Sequence, residues 1–103
     1  MVMLKIINRY TISFSKNFLR RIKVIYKKDR QLYSKYVKVV EEILEDPFTN
    51  GVKTHLVGTV NYGRVLCSRV TGDIRIIWCM ETKKKKIILL DIGGHEGSHK
   101  VYK

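Results

Sequence analysis

Apolar side chains recur every three or four residues across two consecutive stretches in the first half of the chain. The first stretch follows Ser15, a residue type that favours helix N-caps, and is expected to end near Asp29. The second runs from about Arg30 to Glu45 and stops before Pro47, because proline disfavours helical geometry in the residue that precedes it. This spacing aligns the apolar side chains along one side of each helix, so it predicts a two-helix hairpin with one buried face.

Short apolar runs bounded by turn residues lie on both sides of the helical region and predict strands. Residues 9–14 are rich in β-branched and aromatic side chains and form the first. A connecting loop is expected over residues 48–62, and three further strands over residues 65–70, 74–80 and 86–92. The predicted order is strand, helix, helix and a three-stranded meander. This is an α+β fold in which the helices cover one face of a small, twisted antiparallel sheet.

The hydrophobic pattern also indicates the register of the hairpin between the second and third predicted strands. With a loop of three residues, 71–73, Val70 pairs with Ile74 and Arg69 pairs with Arg75. A two-residue loop would instead place Arg75 beside Val70 on the apolar face. Because strand side chains alternate between faces, the pattern favours the three-residue loop and places both arginines on one face. The opposite face then carries the apolar set Leu66, Val70, Ile74, Ile76 and Trp78.

The length of the chain indicates a single domain, and its net charge indicates a negatively charged partner. The 103 residues form one domain, residues 1–103, and the net charge is +12, from 21 Lys and Arg against nine Asp and Glu. Such a field favours a polyanionic partner, with nucleic acid first, an acidic protein second and an anionic membrane surface third. No apolar run reaches the length of a transmembrane span. The first ten residues are too short and too interrupted by charge for a signal peptide, so the cytoplasm is the expected location.

Cysteine and histidine spacing gives no sign of a metal site or a cofactor. Cys67 and Cys79 fall within predicted strands and lack the CxxC spacing of zinc or redox pairs, so buried, reduced thiols are expected. His95 and His99 are four residues apart, but that spacing binds zinc only on a helix, and Gly97 between them argues against one. No metal and no cofactor are predicted.

Four motifs resemble those of the RelE/ParE superfamily of bacterial type II toxins, over residues 9–102. The segment YTISFSKNFLRRIK is similar to the family's opening strand and first helix, and His55-Leu56 with Gly58 resembles its His-x-Leu-x-Gly loop motif. The segment VTGDIRIIW resembles a strand pair in which an arginine follows a short polar turn. ILLDIGGH resembles a last strand that runs into Gly-x-His. The order of the motifs and the length of the chain together indicate this fold.

The resemblance implies an mRNA interferase, a toxin that enters the ribosomal A site and cuts mRNA there without a metal. Arg75 matches the arginine that binds the scissile phosphate in many members, and His95 matches a histidine used in proton transfer in the YafQ- and YoeB-like branches. His55 and Asp73 match a further histidine and aspartate of the YafQ-like branch. The implied partners are a cognate acidic antitoxin, the ribosome and mRNA, with no membrane.

The sequence departs from the family pattern at two places. Arg69 falls where the YafQ-like branch has another histidine. In the tail, His99 occupies the spacing at which members often place an aromatic residue, and Tyr102 follows three residues later. Either Tyr102 or His99 therefore fills that position.

The residues themselves are compatible with such chemistry. RNA is cut without a metal when its 2′-hydroxyl attacks the adjacent phosphate, which requires a base, an acid and cations near the phosphorus. Histidine suits the proton steps, and the planar fork of arginine suits the phosphate, so Arg69 and Arg75 are candidate phosphate ligands. Further phosphate contacts are expected from exposed lysines, Lys53, Lys83, Lys84, Lys85 and Lys86.

The sequence is also compatible with two other functions. A ParE-like toxin would inhibit DNA gyrase, but that branch generally lacks the set of three histidines. A non-enzymatic basic RNA-binding module, such as a decayed toxin, would share the fold without the activity.

Overall fold

The computed structural model describes residues 10–48, 51, 53–59 and 62–94. Within these ranges two helices and five strands form an α+β fold, which confirms the predicted class. Their bounds are β1 Thr11–Phe14, α1 Lys16–Lys28, α2 Arg30–Glu45, β2 His55–Thr59, β3 Gly63–Arg69, β4 Ile74–Glu81 and β5 Lys86–Gly94.

Side-chain caps set the ends of both helices, which begin and end where the sequence predicts. The Ser15 hydroxyl accepts a hydrogen bond from the backbone N–H of Phe18 at 3.0 Å, and the Asp29 carboxylate accepts one from that of Leu32 at 3.0 Å. These side chains satisfy N–H groups that have no partner within the helix. Asp46, before Pro47, has extended backbone geometry and ends α2.

The strands form one mixed sheet in the order β1-β5-β4-β3-β2. Strands β2 to β5 form the predicted antiparallel meander, but β1 pairs in parallel with β5. The sheet is therefore mixed, and the prediction of a purely antiparallel sheet was wrong. This pairing joins the first and last described strands, with both helices in the connection between them. Local hydrophobic patterns carry no information on such a distant pairing, which explains the difference.

Strand β2 lies within residues 48–62, where the sequence pattern predicts only a loop. It pairs with β3 from His55 opposite Cys67 to Thr59 opposite Gly63. Its sequence, HLVGT, is short, contains a glycine and lacks the run of β-branched and aromatic residues that marks a strand. Backbone pairing along the sheet edge therefore sets its conformation more than its composition does.

The hairpin between β3 and β4 has the predicted three-residue loop. Arg69 is paired with Arg75, and the backbone N–H of Val70 donates to the carbonyl oxygen of Ile74 at 2.9 Å. The Thr71 hydroxyl oxygen accepts from the backbone N–H groups of Asp73 and Ile74, at 3.2 and 3.0 Å, and so holds the loop closed.

The two faces of the sheet are buried to different extents. On the first face, the helices pack on the sheet in a core of ten buried residues, Phe18, Ile22, Tyr36, Val39, Ile43, Ile76, Trp78, Ile87, Leu89 and Ile92. The second face carries a smaller cluster of Val65, Cys67 and Ile77, flanked by Val57, Tyr62 and Leu90. As predicted, Leu66, Val70 and Ile74 pack on the helix side. The second face is therefore the more open one.

A series of hydrogen bonds, buried at Trp78 and partly buried at Thr54, joins the core to the segment after α2. The Trp78 indole N–H donates to the Ser68 hydroxyl oxygen at 2.8 Å, and the Ser68 and Thr54 hydroxyls are 2.7 Å apart. Thr54 donates its own proton to the carbonyl oxygen of Pro47 at 2.6 Å, so Ser68 must be the donor to Thr54. Each polar group in this series of hydrogen bonds then has a partner, which offsets the cost of burying it.

Neither Cys67 nor Cys79 forms a disulfide bond; Cys67 is buried and Cys79 is half-buried. Among the described residues, neither helix is long and apolar enough to cross a membrane.

Candidate active site on the second face of the sheet

Arg69 and Arg75 lie side by side where the β3–β4 hairpin begins to turn. They are directly opposite each other in the register, two positions from Cys67 and Ile77, respectively. Because side chains alternate along a strand, the two arginines share the second face with those residues. Like charges directly opposite each other destabilise a sheet. An anion bound between them would remove that penalty, so this pair is a candidate anion site.

The Arg75 guanidinium is held against the hairpin. It is half-buried, and its Nη1 donates to the carbonyl oxygen of Thr71 at 2.7 Å and, more weakly, to that of Ile74 at 3.5 Å. Arg69 is exposed. A guanidinium presents five N–H donors in a fixed fork, so anchoring one nitrogen of Arg75 orients the remaining donors for a phosphate.

His55 joins the arginines on the second face because it is paired with Cys67. Its Nδ1 lies 2.9 Å from the carbonyl oxygen of Lys53. A carbonyl oxygen only accepts, so Nδ1 carries the proton and Nε2 of the neutral ring is left with a lone pair. The ring is exposed, and Nε2 is thus available to accept a proton from a ligand. Lys53 is also exposed and has a left-handed backbone, with φ of 49°.

The end of β5 completes the surface beside Arg75. Gly93 is opposite Arg75 and Gly94 is opposite Ile74, so no side chain stands next to the Arg75 guanidinium on that strand. His95 follows Gly94 directly in the sequence. The three predicted tail residues, His95, His99 and Tyr102, lie outside the described residues.

Asp73 and the lysine run occupy opposite ends of the sheet. Asp73 is exposed in the β3–β4 loop, two residues before Arg75. The lysine run, residues 83–86, lies in and after the turn at the other end of β4, where the first three lysines are exposed. The six residue-to-residue steps along β4 from Arg75 to Glu81 span about 20 Å. The structure therefore places Asp73, His55 and both arginines at the same end of the sheet, and the lysine run lies at the opposite end.

An ion pair that was not predicted from the sequence joins α1 to β5. Asp91 is buried, its Oδ1 is 3.3 Å from Nη1 of Arg21, and the same nitrogen donates to the carbonyl oxygen of Ile92 at 3.3 Å. Burial raises the pKa of the Asp91 carboxyl, although Arg21 and the Ile92 N–H act in the opposite direction. A lone acid within the apolar run IILLDIGG was the available signal, since a buried carboxylate needs a partner. The pair fixes the strand just before Gly93.

We expect Arg21→Gln to lower the free energy of unfolding by about 2 kcal/mol at pH 7, less than for a fully buried pair because Arg21 is partly exposed. Without Arg21 the pKa of Asp91 rises further. A raised folded-state pKa destabilises the protein at pH values above it and not below the unfolded value, so the loss should shrink toward pH 4. Urea denaturation at both pH values measures this. Lys23→Gln, at an exposed cation on the same helix, is the control, and equal losses for both variants at both pH values would contradict the assignment.

Among the residues that the structure describes, no group of three or more His, Cys, Asp and Glu side chains is placed to hold a metal ion.

Comparison with solved structures shows that the chain has the fold of the RelE/ParE superfamily of toxins. The YoeB/ParE toxin from Agrobacterium tumefaciens superposes with a TM-score of 0.71 at 10% identity, covering 84% of this chain and 99% of that one. The archaeal RelE–RelB complex from Pyrococcus horikoshii OT3 gives 0.68 at 14% identity, covering 87% and 99%.

A third similar structure is the heterotetrameric YoeB–YefM toxin–antitoxin complex from Staphylococcus aureus. It gives a TM-score of 0.67 at 17% identity and covers 85% of this chain and 99% of that one. No protein-family model and no curated protein matches the sequence. At these low sequence identities, the similarity to the solved structures shows the fold alone.

Proposed function

We propose that this chain is the toxin of a type II toxin–antitoxin system and cleaves mRNA on the ribosome, as a metal-independent endoribonuclease. The observation that carries the proposal is the cross-strand pair of Arg69 and Arg75 on the open face, with His55 on the same face. An attack by the RNA 2′-hydroxyl on its own phosphate requires cations, a base and an acid for the leaving oxygen, and these three residues are the candidate cations and base.

In this proposal each residue has a role set by its chemistry. Arg75 holds the scissile phosphate with the donors that the Thr71 carbonyl leaves free, and Arg69 adds charge from the adjacent strand. His55 Nε2 or the Asp73 carboxylate takes the 2′-hydroxyl proton. His95, with His99 or Tyr102, supplies the proton for the leaving oxygen. The lysines Lys53 and 83–86 contact RNA phosphates further away.

The proposed protein partner is an acidic antitoxin. The net charge of +12 favours an acidic chain, and similar structures include the YoeB–YefM toxin–antitoxin complex. Such a partner would neutralise the basic surface and thereby compete with RNA. Ribosome and mRNA are the proposed target, and the cytoplasm is the compartment in which they are met.

Induced expression in growing bacteria tests the proposed class of target. We expect methionine incorporation to fall before thymidine incorporation, and primer extension to show new mRNA ends within reading frames. Expression of the double variant Arg69→Gln/Arg75→Gln at the same level should leave methionine incorporation unchanged and produce no new mRNA ends. An earlier fall in thymidine incorporation would contradict the proposal and point to DNA gyrase, the target of ParE-like toxins.

A further inference from the structure

The helix hairpin carries an exposed cleft on its own surface, where α1 ends and α2 begins. The cleft has a volume of about 440 Å³ and is lined by Ile22, Lys23, Tyr26, Lys27 and Tyr33. Its lining therefore combines an apolar floor, two aromatic rings and two cations. Because the hairpin packs on the first face of the sheet, the cleft is separate from Arg69 and Arg75 on the second face.

Tyr26 and Arg30 form a preorganised stack at this cleft. The Arg30 Cζ lies 4.0 Å from the centroid of the Tyr26 ring, and its Nε donates to the Tyr26 carbonyl oxygen at 2.7 Å. Tyr33 packs against Tyr26 at right angles, with 4.9 Å between the ring centroids. Tyr26 nevertheless remains 44% exposed, and Arg30 is exposed as well. A fixed tyrosine and a flat guanidinium are thus presented to solvent together.

The charge around the cleft has a single sign along α1. The helix has six basic residues among its 13 and no acidic one. Five of these cations are exposed, and four of the five recur every three or four positions, at Lys16, Arg20, Lys23 and Lys27. At a rise of 1.5 Å per residue they are separated by about 4.5–6 Å along the helix axis. The row of cations leads directly to the cleft, and it suits a chain of phosphates.

We propose that this cleft binds single-stranded RNA, with one nucleobase stacked on the Tyr26–Arg30 pair and the flanking phosphates at Lys23 and Lys27. Bases stack on aromatic rings and on guanidinium planes, whereas the carboxylates of an acidic peptide pair with cations and have no aromatic face to stack on Tyr26. The inference rests on the proposed function only in the choice of RNA as ligand. It concerns binding, which is measured without cleavage.

Fluorescence anisotropy with a labelled 2′-O-methyl oligoadenylate of about 12 nucleotides tests the stack. This RNA has no free 2′-hydroxyl, so the proposed cleavage chemistry cannot alter it. We expect Tyr26→Ala to weaken binding roughly tenfold and Tyr26→Phe to retain it, because phenylalanine keeps the ring. Arg30→Lys keeps the charge but loses the plane, and should weaken binding several-fold. Lys38→Arg, a change at an exposed cation elsewhere on α2, is the matched control.

An abasic oligomer of equal length separates stacking from charge. We expect Tyr26→Ala to leave its affinity unchanged, and an equal loss for both oligomers would overturn the proposal. Wild-type affinity for the RNA in both Tyr26→Ala and Arg30→Lys would overturn the proposal too. So would binding of a polyglutamate peptide that Tyr26→Ala weakens as much as it weakens RNA binding. Circular dichroism confirms that each variant is folded. Binding that depends on the stack would stand even if the chain cleaved no mRNA, so the two proposals fail separately.

The salt dependence of binding distinguishes the roles of the two residue types. The double variant Lys23→Gln/Lys27→Gln should reduce the slope of log affinity against log salt by about 1.4, since each phosphate contact to a single strand contributes about 0.7. Tyr26→Ala should weaken binding with the slope unchanged. A slope that is unaltered by the lysine changes would contradict phosphate binding at the cleft.

Discussion

Replacing Arg75 with alanine is expected to lower the rate of mRNA cleavage by about 100- to 1000-fold, the usual effect of removing one donor that stabilises developing charge. The guanidinium is the half-buried member of the arginine pair, and its hydrogen bond to the Thr71 carbonyl fixes its direction. Arg75→Lys keeps the positive charge but not the fork, and should recover only part of the rate. Cleavage rates under single-turnover conditions measure both variants.

Arg64→Ala is the matched control for Arg75→Ala. Arg64 is an exposed arginine at the other end of β3, opposite Gly58, and it is not in the proposed site. Its loss changes the net charge by the same amount, so a general electrostatic effect on RNA binding would reduce both rates equally. We expect Arg64→Ala to stay within about twofold of wild type, since rim charges act mainly on association. Equal rates for the two variants would show that Arg75 holds no special position.

Trp78→Ala is expected to lower the free energy of unfolding by about 4 kcal/mol, within the range for deleting a large aromatic side chain from a core. Trp78 is fully buried at the centre of the first face, and its ring centroid is 6.5 Å from that of Phe48. Its removal leaves a cavity and deprives the Ser68 hydroxyl of the indole donor. Urea denaturation followed by far-ultraviolet circular dichroism suits this variant, because Trp78 is the chain's only tryptophan and its fluorescence is lost.

One further variant separates the contributions of side-chain volume and hydrogen bonding, and another, at an exposed position, is the control. Trp78→Phe keeps most of the apolar volume but not the N–H, so a loss of about 1–2 kcal/mol is expected. Val24→Ala, at a position that is 48% exposed on α1, should cost less than about 0.5 kcal/mol. A loss below about 1 kcal/mol for Trp78→Ala would contradict the packing described for this face.

The parts of the fold that the sequence predicted are those set by local chemistry. The capping residues Ser15 and Asp29, together with Pro47, act within a few positions of themselves, and both helices have the predicted bounds. The register of Arg69 opposite Arg75 also followed from neighbouring residues, because a one-residue slip would have placed an arginine among the apolar side chains. This register defines the candidate site, so its central pair was accessible from the sequence.

The parts that could not be predicted depend on residues far apart in the chain. The parallel pairing of β1 with β5 has no local signature, and β2 is a strand chiefly because β3 lies beside it. The face that His55 occupies follows from β2 and was therefore hidden as well. Asp91 was visible as an anomaly in an apolar run, but only the packing of α1 on β5 identifies Arg21 as its partner.

The most direct test of the proposed function is cleavage of a defined mRNA by the purified protein on programmed ribosomes, mapped by primer extension. The proposal predicts a cut within the A-site codon when ribosomes are present and none on the same free mRNA, in buffer with a chelator. A folded wild-type protein that leaves the mRNA intact on ribosomes would contradict it. Inhibition of gyrase supercoiling by that same preparation would then indicate the target of ParE-like toxins instead.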